Sequence, residues 1–336
     1  MPMLSPPREQ ALRDFALVHT AWPADAPWLP LAGDAGGRRY YRLRHGGHSR
    51  ICVDAPPAVS NTAAFTAVRE RLEQAGLRVP ALHALDPVQG FMVLDDLGES
   101  LLFDVLDLAA PSSDYAGALP LLHRVQAVDP TGLPAYSADL LEEELSRFPD
   151  WFCEAFLEVA LPPQLLSDLN DLLIDCALSQ PQVFVHRDYH CRNLLPQPDG
   201  PPGLIDFQDA VSGPVCYDLV SLLKDCYLRW PPAQVRRWAL AFREQRRAAG
   251  LPAADTEAEF LRWFDWIGLQ RHLKVLGNFT RLALRDGRDR YLGDIPQVLV
   301  YIEEVLEAYA DFADFARWWR AELRPQLAGR DWGSPS

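Results

Sequence analysis

His186-Arg187-Asp188-Tyr189-His190-Cys191-Arg192-Asn193 and, past a turn rich in Pro and Gly, Leu204-Ile205-Asp206-Phe207 are the two acidic stations from which this 336-residue chain is read. The first fits the pattern H-R-D-x-x-x-x-N at every specified position. Together they imply phosphoryl transfer. That reaction needs little covalent help from protein: it needs Mg²⁺ to neutralise phosphate oxygens and a carboxylate to aim the attacking hydroxyl. Asp188 supplies the orienting carboxylate, as catalytic base, and Asn193 and Asp206 supply the metal ligands.

A rival reading lies inside the first station. After the apolar run Val183-Phe184-Val185, residues His186, Asp188 and His190 alternate and would share one face if a strand continued. Imidazole and carboxylate on one face suit zinc or iron and hydrolysis. That reading leaves Asn193 and Asp206 without work, and no second His-rich cluster follows, so it ranks below phosphoryl transfer.

The whole chain sets bounds on both. A hydrophobic content of 49% with 23% charged residues is that of a globular protein large enough for two lobes. The formal net charge of −14 argues against nucleic acid and anionic membrane as partners. Lys224 and Lys274 are the only lysines. The six cysteines show no C-x-x-C spacing and are expected as free thiols in a reducing compartment. Arg8, Glu9, Arg13 and Asp14 stand where a signal peptide needs an apolar core. No apolar run reaches the ~20 residues of a membrane helix. A soluble, cytoplasmic protein is the expectation.

Along the chain, Arg39-Tyr40-Tyr41-Arg42-Leu43 and Arg50-Ile51-Cys52-Val53 read as strands joined by the turn His45-Gly46-Gly47-His48. Ser60 or Asn61 caps a helix with apolar positions Phe65, Val68 and Leu72, stopped at Gly76. Phe91-Met92-Val93-Leu94 is a short buried strand, and Asp95-Asp96-Leu97-Gly98 a linker. Beyond it the pattern is mostly helical, over 115–128, 138–159, 163–179, 217–228, 233–249, 256–285 and 295–312. The fold class expected is α+β and bilobal, of the protein-kinase type. Residues 1–97 form a small antiparallel-sheet lobe covering nucleotide, and 98–336 a larger helical lobe with the catalytic loop, metal site and substrate helices.

Further site candidates follow from this order. Gly33, Gly36 and Gly37 precede the first strands, where glycine lets backbone amides approach phosphates. Asp95 and Leu97 in the linker would touch the nucleotide. A kinase pairs the phosphates with a strand lysine held by a helix glutamate, yet Arg50-Ile51-Cys52-Val53-Asp54 contains none. Arg39, Arg42 or Arg50 would stand in, Arg42 being the one assigned to the nucleotide, with Glu70 or Glu73 as the glutamate. Asp218, in Gly213-Pro214-Val215-Cys216-Tyr217-Asp218-Leu219, is placed to accept backbone N–H groups, either at its helix N-terminus or from the catalytic loop. Arg271, Lys274, Asn278, Arg281 and Arg285 recur at helical spacing. Such a stripe is by default a solvated face; the alternative is a surface for an anionic substrate, with the indoles of Trp263 and Trp266 nearby to cover a sugar ring.

The run from Val185 to Asp218 resembles the aminoglycoside phosphotransferase and choline kinase superfamily. Within it, Ile205-Asp206-Phe207-Gln208-Asp209-Ala210, Tyr217-Asp218-Leu219-Val220-Ser221-Leu222-Leu223 and Gln270-Arg271-His272-Leu273-Lys274-Val275-Leu276-Gly277 are similar to bacterial anomeric sugar kinases. The resemblance implies transfer from ATP, with Mg²⁺, to the C1 hydroxyl of N-acetylmuramate and N-acetylglucosamine in cell-wall recycling. It implies Asp188 as base and Asn193 and Asp206 as metal ligands, while the superfamily's first-lobe lysine is missing. It does not imply antibiotic resistance, since a polycationic aminoglycoside suits the Arg271 to Arg285 stripe poorly and the lactyl carboxylate of a muramic acid suits it better. The alternatives are a choline-, ethanolamine- or aminoglycoside-type kinase, or a nucleotide-binding module without catalysis.

Overall fold

The structure is a computed structural model and describes residues 6–31, 37–58, 60–107, 115 and 117–335. Gly33 and Gly36 lie outside the described residues. Two compact units divide the chain, the first from residues 1–106 with 191–209, the second from 107–190 with 210–336. The sequence places its lobe boundary at residue 97; by compactness, the stretch that carries Asn193 and Asp206 groups with the first unit.

That unit is built on an antiparallel sheet with order β1-β2-β3-β5-β4, from β1 (Trp28–Pro30), β2 (Arg39–His45), β3 (His48–Asp54), β4 (Leu82–Asp86) and β5 (Phe91–Asp95). Strand periodicity sorts its side chains onto two faces. Tyr41, Leu43, Cys52, Phe91 and Val93 turn to one face and are closed off by Leu12 and Ala16 of the helix Pro6–Thr20. Arg8 of that helix ties it to the sheet, donating to the fully buried Asp54 at 2.6 Å and to the Gln89 carbonyl at 2.6 Å. Ala11 and Phe15 of the same helix also pack against this cluster, so its inward stripe has helical spacing.

Tyr40, Arg42, Ile51 and Leu94 turn to the opposite face, which lines a cavity of about 470 Å³. The helix Thr62–Gln74 adds Phe65 to that wall and starts as expected at Asn61, whose side chain accepts from the Ala64 N–H at 3.0 Å. Glu70 and Glu73 on this helix are exposed, and Glu73 pairs with Arg69 one turn away at 3.1 Å. Neither is a buried partner for a strand cation.

The second unit is organised around the helix Glu257–Asp286, which Thr256 caps by accepting from the Glu259 N–H at 3.1 Å and Gly287 ends in the left-handed region. Its middle turns are buried against neighbouring segments. A Cβ on Gly277 would meet the Arg147 backbone at 2.3 Å, so only glycine lets the two chains cross there. The sequence expects one helix over 138–159; instead Ala138–Arg147 is α-helical and Phe148–Leu157 is π-helical, the change coming at Pro149, which lacks the N–H that α-helical bonding requires. The helix expected to reach Leu228 ends at Leu223, and just beyond it the Asp225 carboxylate takes the N–H groups of Tyr227 and Leu228 at 2.8 and 3.0 Å. All six cysteines are free. Among the described residues, no helix is long and apolar enough to cross a membrane.

Candidate active site

In the second unit, the strand Gln182–Val185 pairs with Val211–Pro214 and stops before His186. Arg187 then adopts φ 75°, a conformation that side chains with a Cβ rarely accept. The alternation required by a His186–Asp188–His190 metal face therefore ends with the strand. What fixes the turn is Asp218. Fully buried, it accepts the His186 N–H at 2.7 Å and the Arg187 N–H at 3.0 Å, the supporting role expected from its place in the sequence.

Burial pushes the Asp218 carboxyl up to about 7 against the pull of those two N–H groups. Its folded pKa lies above its unfolded value, so its contribution to stability is present at acid pH and is lost as pH rises to about 7. Asp218→Asn turns an amide N–H against one of the two backbone donors, and a buried unpaired donor costs roughly 1–3 kcal/mol. We expect a lower melting temperature for the variant and a flatter dependence of stability on pH between 5 and 7.5 than in the wild type. Parallel pH dependences in the two proteins would contradict this role.

Asp188, partly exposed, sits in a ring of cations. Burial alone would push its carboxyl up, but Arg271 foremost, then His190, Lys274 and Arg187, outweigh burial and hold it below its usual range. These cations have a buried counter-ion that the sequence does not single out. Glu144 is fully buried and accepts from Lys274 Nζ at 2.8 Å, from Arg187 Nη2 and from the Tyr136 hydroxyl. Burial opposes its ionisation, yet Lys274 and Arg187 prevail and hold the carboxyl down at about 2. Lys274 also donates to the Tyr217 hydroxyl at 3.0 Å, and Arg271 lies over the Tyr217 ring at 5.6 Å. Inward turns of the long helix thus deliver Arg271 and Lys274 to the catalytic loop rather than to solvent. Arg281 is partly buried and Arg285 is exposed and paired with Asp286 at 2.8 Å. Trp266 is 2% exposed, its ring packed on Phe312 and covered by Arg262 at 4.0 Å. A sugar platform needs a free indole face, which this packing removes.

Asn193 and Asp206, the residues expected to ligate metal, belong to the first unit, where Leu194–Leu195 pairs antiparallel with Gly203–Leu204. Continuing that register sets Asn193 opposite Ile205, whose N–H it accepts at 3.2 Å, and so brings Asn193 beside Asp206. Both line the cavity under the sheet, together with Asp95, Asp96, Leu97 and Arg38. Asp206 takes φ 64° and accepts from Arg38 Nη2 at 2.9 Å and Gln208 Nε2 at 3.1 Å. One carboxylate and one amide oxygen are hard donors that fit Mg²⁺, an ion that takes few protein ligands and shares the rest with phosphate and water. Among the described residues, no group of three or more His, Cys, Asp or Glu is arranged to hold a metal by itself.

Of the other expected nucleotide residues, Asp95 is bonded to His83 at 2.6 Å and the Leu97 carbonyl accepts from Gln197 at 2.8 Å, which steadies the linker. Arg42 reaches the cavity wall, but its guanidinium is held by Asp96 at 2.6 and 3.1 Å and by the Gly98 carbonyl at 3.0 Å. It braces the linker. Arg50 lies 3.5 Å from Asp95 and does not line the cavity. Gly37 is described, with φ 84°.

A five-stranded sheet lining a nucleotide-sized cavity, with a helical unit carrying an oriented H-R-D loop, defines a kinase-like phosphotransferase. The chain belongs to the phosphotransferase enzyme family, whose model matches residues 27–259. It is 41% identical over 294 residues to an N-acetylmuramate/N-acetylglucosamine kinase of Pseudomonas aeruginosa, covering 86% of each chain. It is 40% identical over 287 residues to a protein of the same name from Pseudomonas putida, covering 84% of each. The fold is shared with a choline kinase from Streptococcus pneumoniae, at TM-score 0.64 and 13% identity over 88% of this chain and 99% of that one.

Proposed function

We propose that the protein transfers the γ-phosphoryl group of ATP to the anomeric hydroxyl of N-acetylmuramate and N-acetylglucosamine, as a step in cell-wall recycling. The observation that carries this reading is the ionised Asp188 carboxylate, ringed by Arg271, His190, Lys274 and Arg187, in a chain 41% identical to a kinase of those two sugars. Asp188 accepts a hydrogen bond from the attacking hydroxyl, aligns its lone pair, and takes the proton late in the transfer. Glu144 offsets part of the charge of Lys274 and Arg187, and Arg271 is the foremost cation acting on Asp188. Asn193 and Asp206 would hold Mg²⁺, whose contribution is to neutralise the phosphate oxygens. The choline-kinase likeness is one of fold alone. A quaternary ammonium is repelled by the cations around Asp188, which disfavours that acceptor.

Muramic acid carries a lactyl carboxylate that N-acetylglucosamine lacks. Arg281 remains the residue assigned to it. Its Nε is buried with no hydrogen-bond partner among the described residues, and Arg147 and Arg285 add positive charge around it. A charge-assisted hydrogen bond contributes about 1.5–3 kcal/mol, or roughly ten- to a hundredfold in affinity. The test is a panel of N-acetylmuramate, N-acetylglucosamine, choline and an aminoglycoside with Mg·ATP, read by the mass of the phosphorylated product. We expect product from the two amino sugars only, and a KM raised by Arg281→Ala for N-acetylmuramate alone. Phosphocholine as the main product would refute the sugar reading, and equal KM changes for both sugars would refute the role of Arg281.

A further inference from the structure

Phosphates bound in a protein need a cation, and the strand that supplies a lysine in kinases has none here. We infer that Arg38 is this cation, so that the phosphate anchor has moved from β3 to the residue that enters β2. The inference rests on the kinase reading above. It is carried by a comparison of every cation around the cavity of the first unit.

Among the described residues, the cations that line that cavity are Arg38 and Arg42. Arg42 is committed to the linker through Asp96 and Gly98, with Glu99 3.4 Å away. Strand periodicity puts Arg38, Tyr40 and Arg42 on the cavity face and turns Arg39 to the other side. Arg38 has a side chain only 11% exposed and reaches Asp206 at 2.9 Å. Asp206 adjoins Asn193, so Arg38 lies beside the pair of oxygen donors suited to Mg²⁺. Phosphate oxygens sharing a metal with Asp206 come within reach of the same guanidinium, whose forked donors can serve a carboxylate and a phosphate together. Arg38 directly follows Gly37, whose φ of 84° lies in the left-handed region that glycine accepts. A lysine ammonium could also meet two acceptors, but it lacks the planar, fixed fork that matches a carboxylate and a phosphate side by side.

The experiment measures dissociation constants for ATP, ADP and adenosine by calorimetry, with Mg²⁺, for the wild type, Arg38→Ala, Arg38→Lys and Arg39→Ala. We expect Arg38→Ala to weaken ATP and ADP roughly ten- to a hundredfold while adenosine binding stays as in the wild type. Arg38→Lys should recover part of the loss, and Arg39→Ala should match the wild type. Should the alanine variant prove unstable, Arg38→Gln removes the charge and keeps the length, and is read in the same way. Unchanged ATP and ADP binding in the Arg38 variants would overturn the assignment, as would an equal loss for adenosine, which marks a structural role. A wild type that binds none of the three ligands would overturn the kinase reading itself, an outcome distinct from either.

Discussion

Asp188→Asn is expected to cut kcat by roughly a hundred- to ten-thousandfold, the range spanned by positioned general bases, while ATP still binds. Asparagine keeps the size of the side chain and the backbone contacts of the loop, including the His190 N–H to the Asp188 carbonyl at 3.1 Å. It removes the negative charge, and the amide oxygen that remains is too weak a base to take the hydroxyl proton. Lys274 keeps Glu144 as its partner at 2.8 Å, so the variant does not strand that cation in the interior. Arg271 loses the charge it faces, and acceptor KM is free to change; the decisive reading is kcat at saturating sugar. In the wild type the depressed Asp188 pKa keeps the base ionised above the ordinary carboxylate range, so this group gives no loss of activity between pH 5 and 8. Turnover near the wild-type level in a folded Asp188→Asn protein would remove Asp188 from the chemistry.

What the sequence disclosed and what it hid divide along physical lines. The stations were legible because a motif specifies residue type at fixed spacing along one loop. The long helix was legible because both its ends are marked, by Thr256 and Gly287, with apolar periodicity between. Glu144 was not, for it ends the run Glu142-Glu143-Glu144 that reads as a solvated face. Only its register with Leu141 and Leu145, both buried, distinguishes it from its two neighbours. That signal was available and weak. The cationic stripe was half legible: spacing aligned Arg271 through Arg285, yet how far along a helix its neighbours cover it is a tertiary fact. Arg271 and Lys274 are covered and Arg285 is not. Arg38 was passed over because a strand's first residue is set by pairing, so sequence alone could not say which of Arg38 and Arg39 faces inward.

Asp206 offers the second large effect, and one whose sign depends on magnesium. Asp206→Ala removes the carboxylate that accepts from Arg38 and Gln208. Loss of metal stabilisation of the transferring group is worth several kcal/mol, and at 1.36 kcal/mol per decade kcat should fall roughly a thousandfold or more. Alanine at φ 64° is also strained, whereas asparagine tolerates that region, so Asp206→Asn separates lost charge from backbone cost. Nucleotide binding gives the sharper reading. In a metal chelator the wild-type carboxylate repels the phosphates, and deleting it should leave ATP affinity equal or improved. With Mg²⁺ the wild type should gain affinity, because the Asp206 carboxylate would help hold the ion that neutralises the phosphates, and neither variant keeps that carboxylate. Plotted against Mg²⁺ concentration, the wild-type affinity for ATP should therefore rise from at or below that of the variants to well above it. Identical Mg²⁺ dependence in all three proteins would place the metal elsewhere, and stoichiometric zinc with activity that ignores Mg²⁺ would refute the phosphoryl-transfer chemistry assigned to both stations.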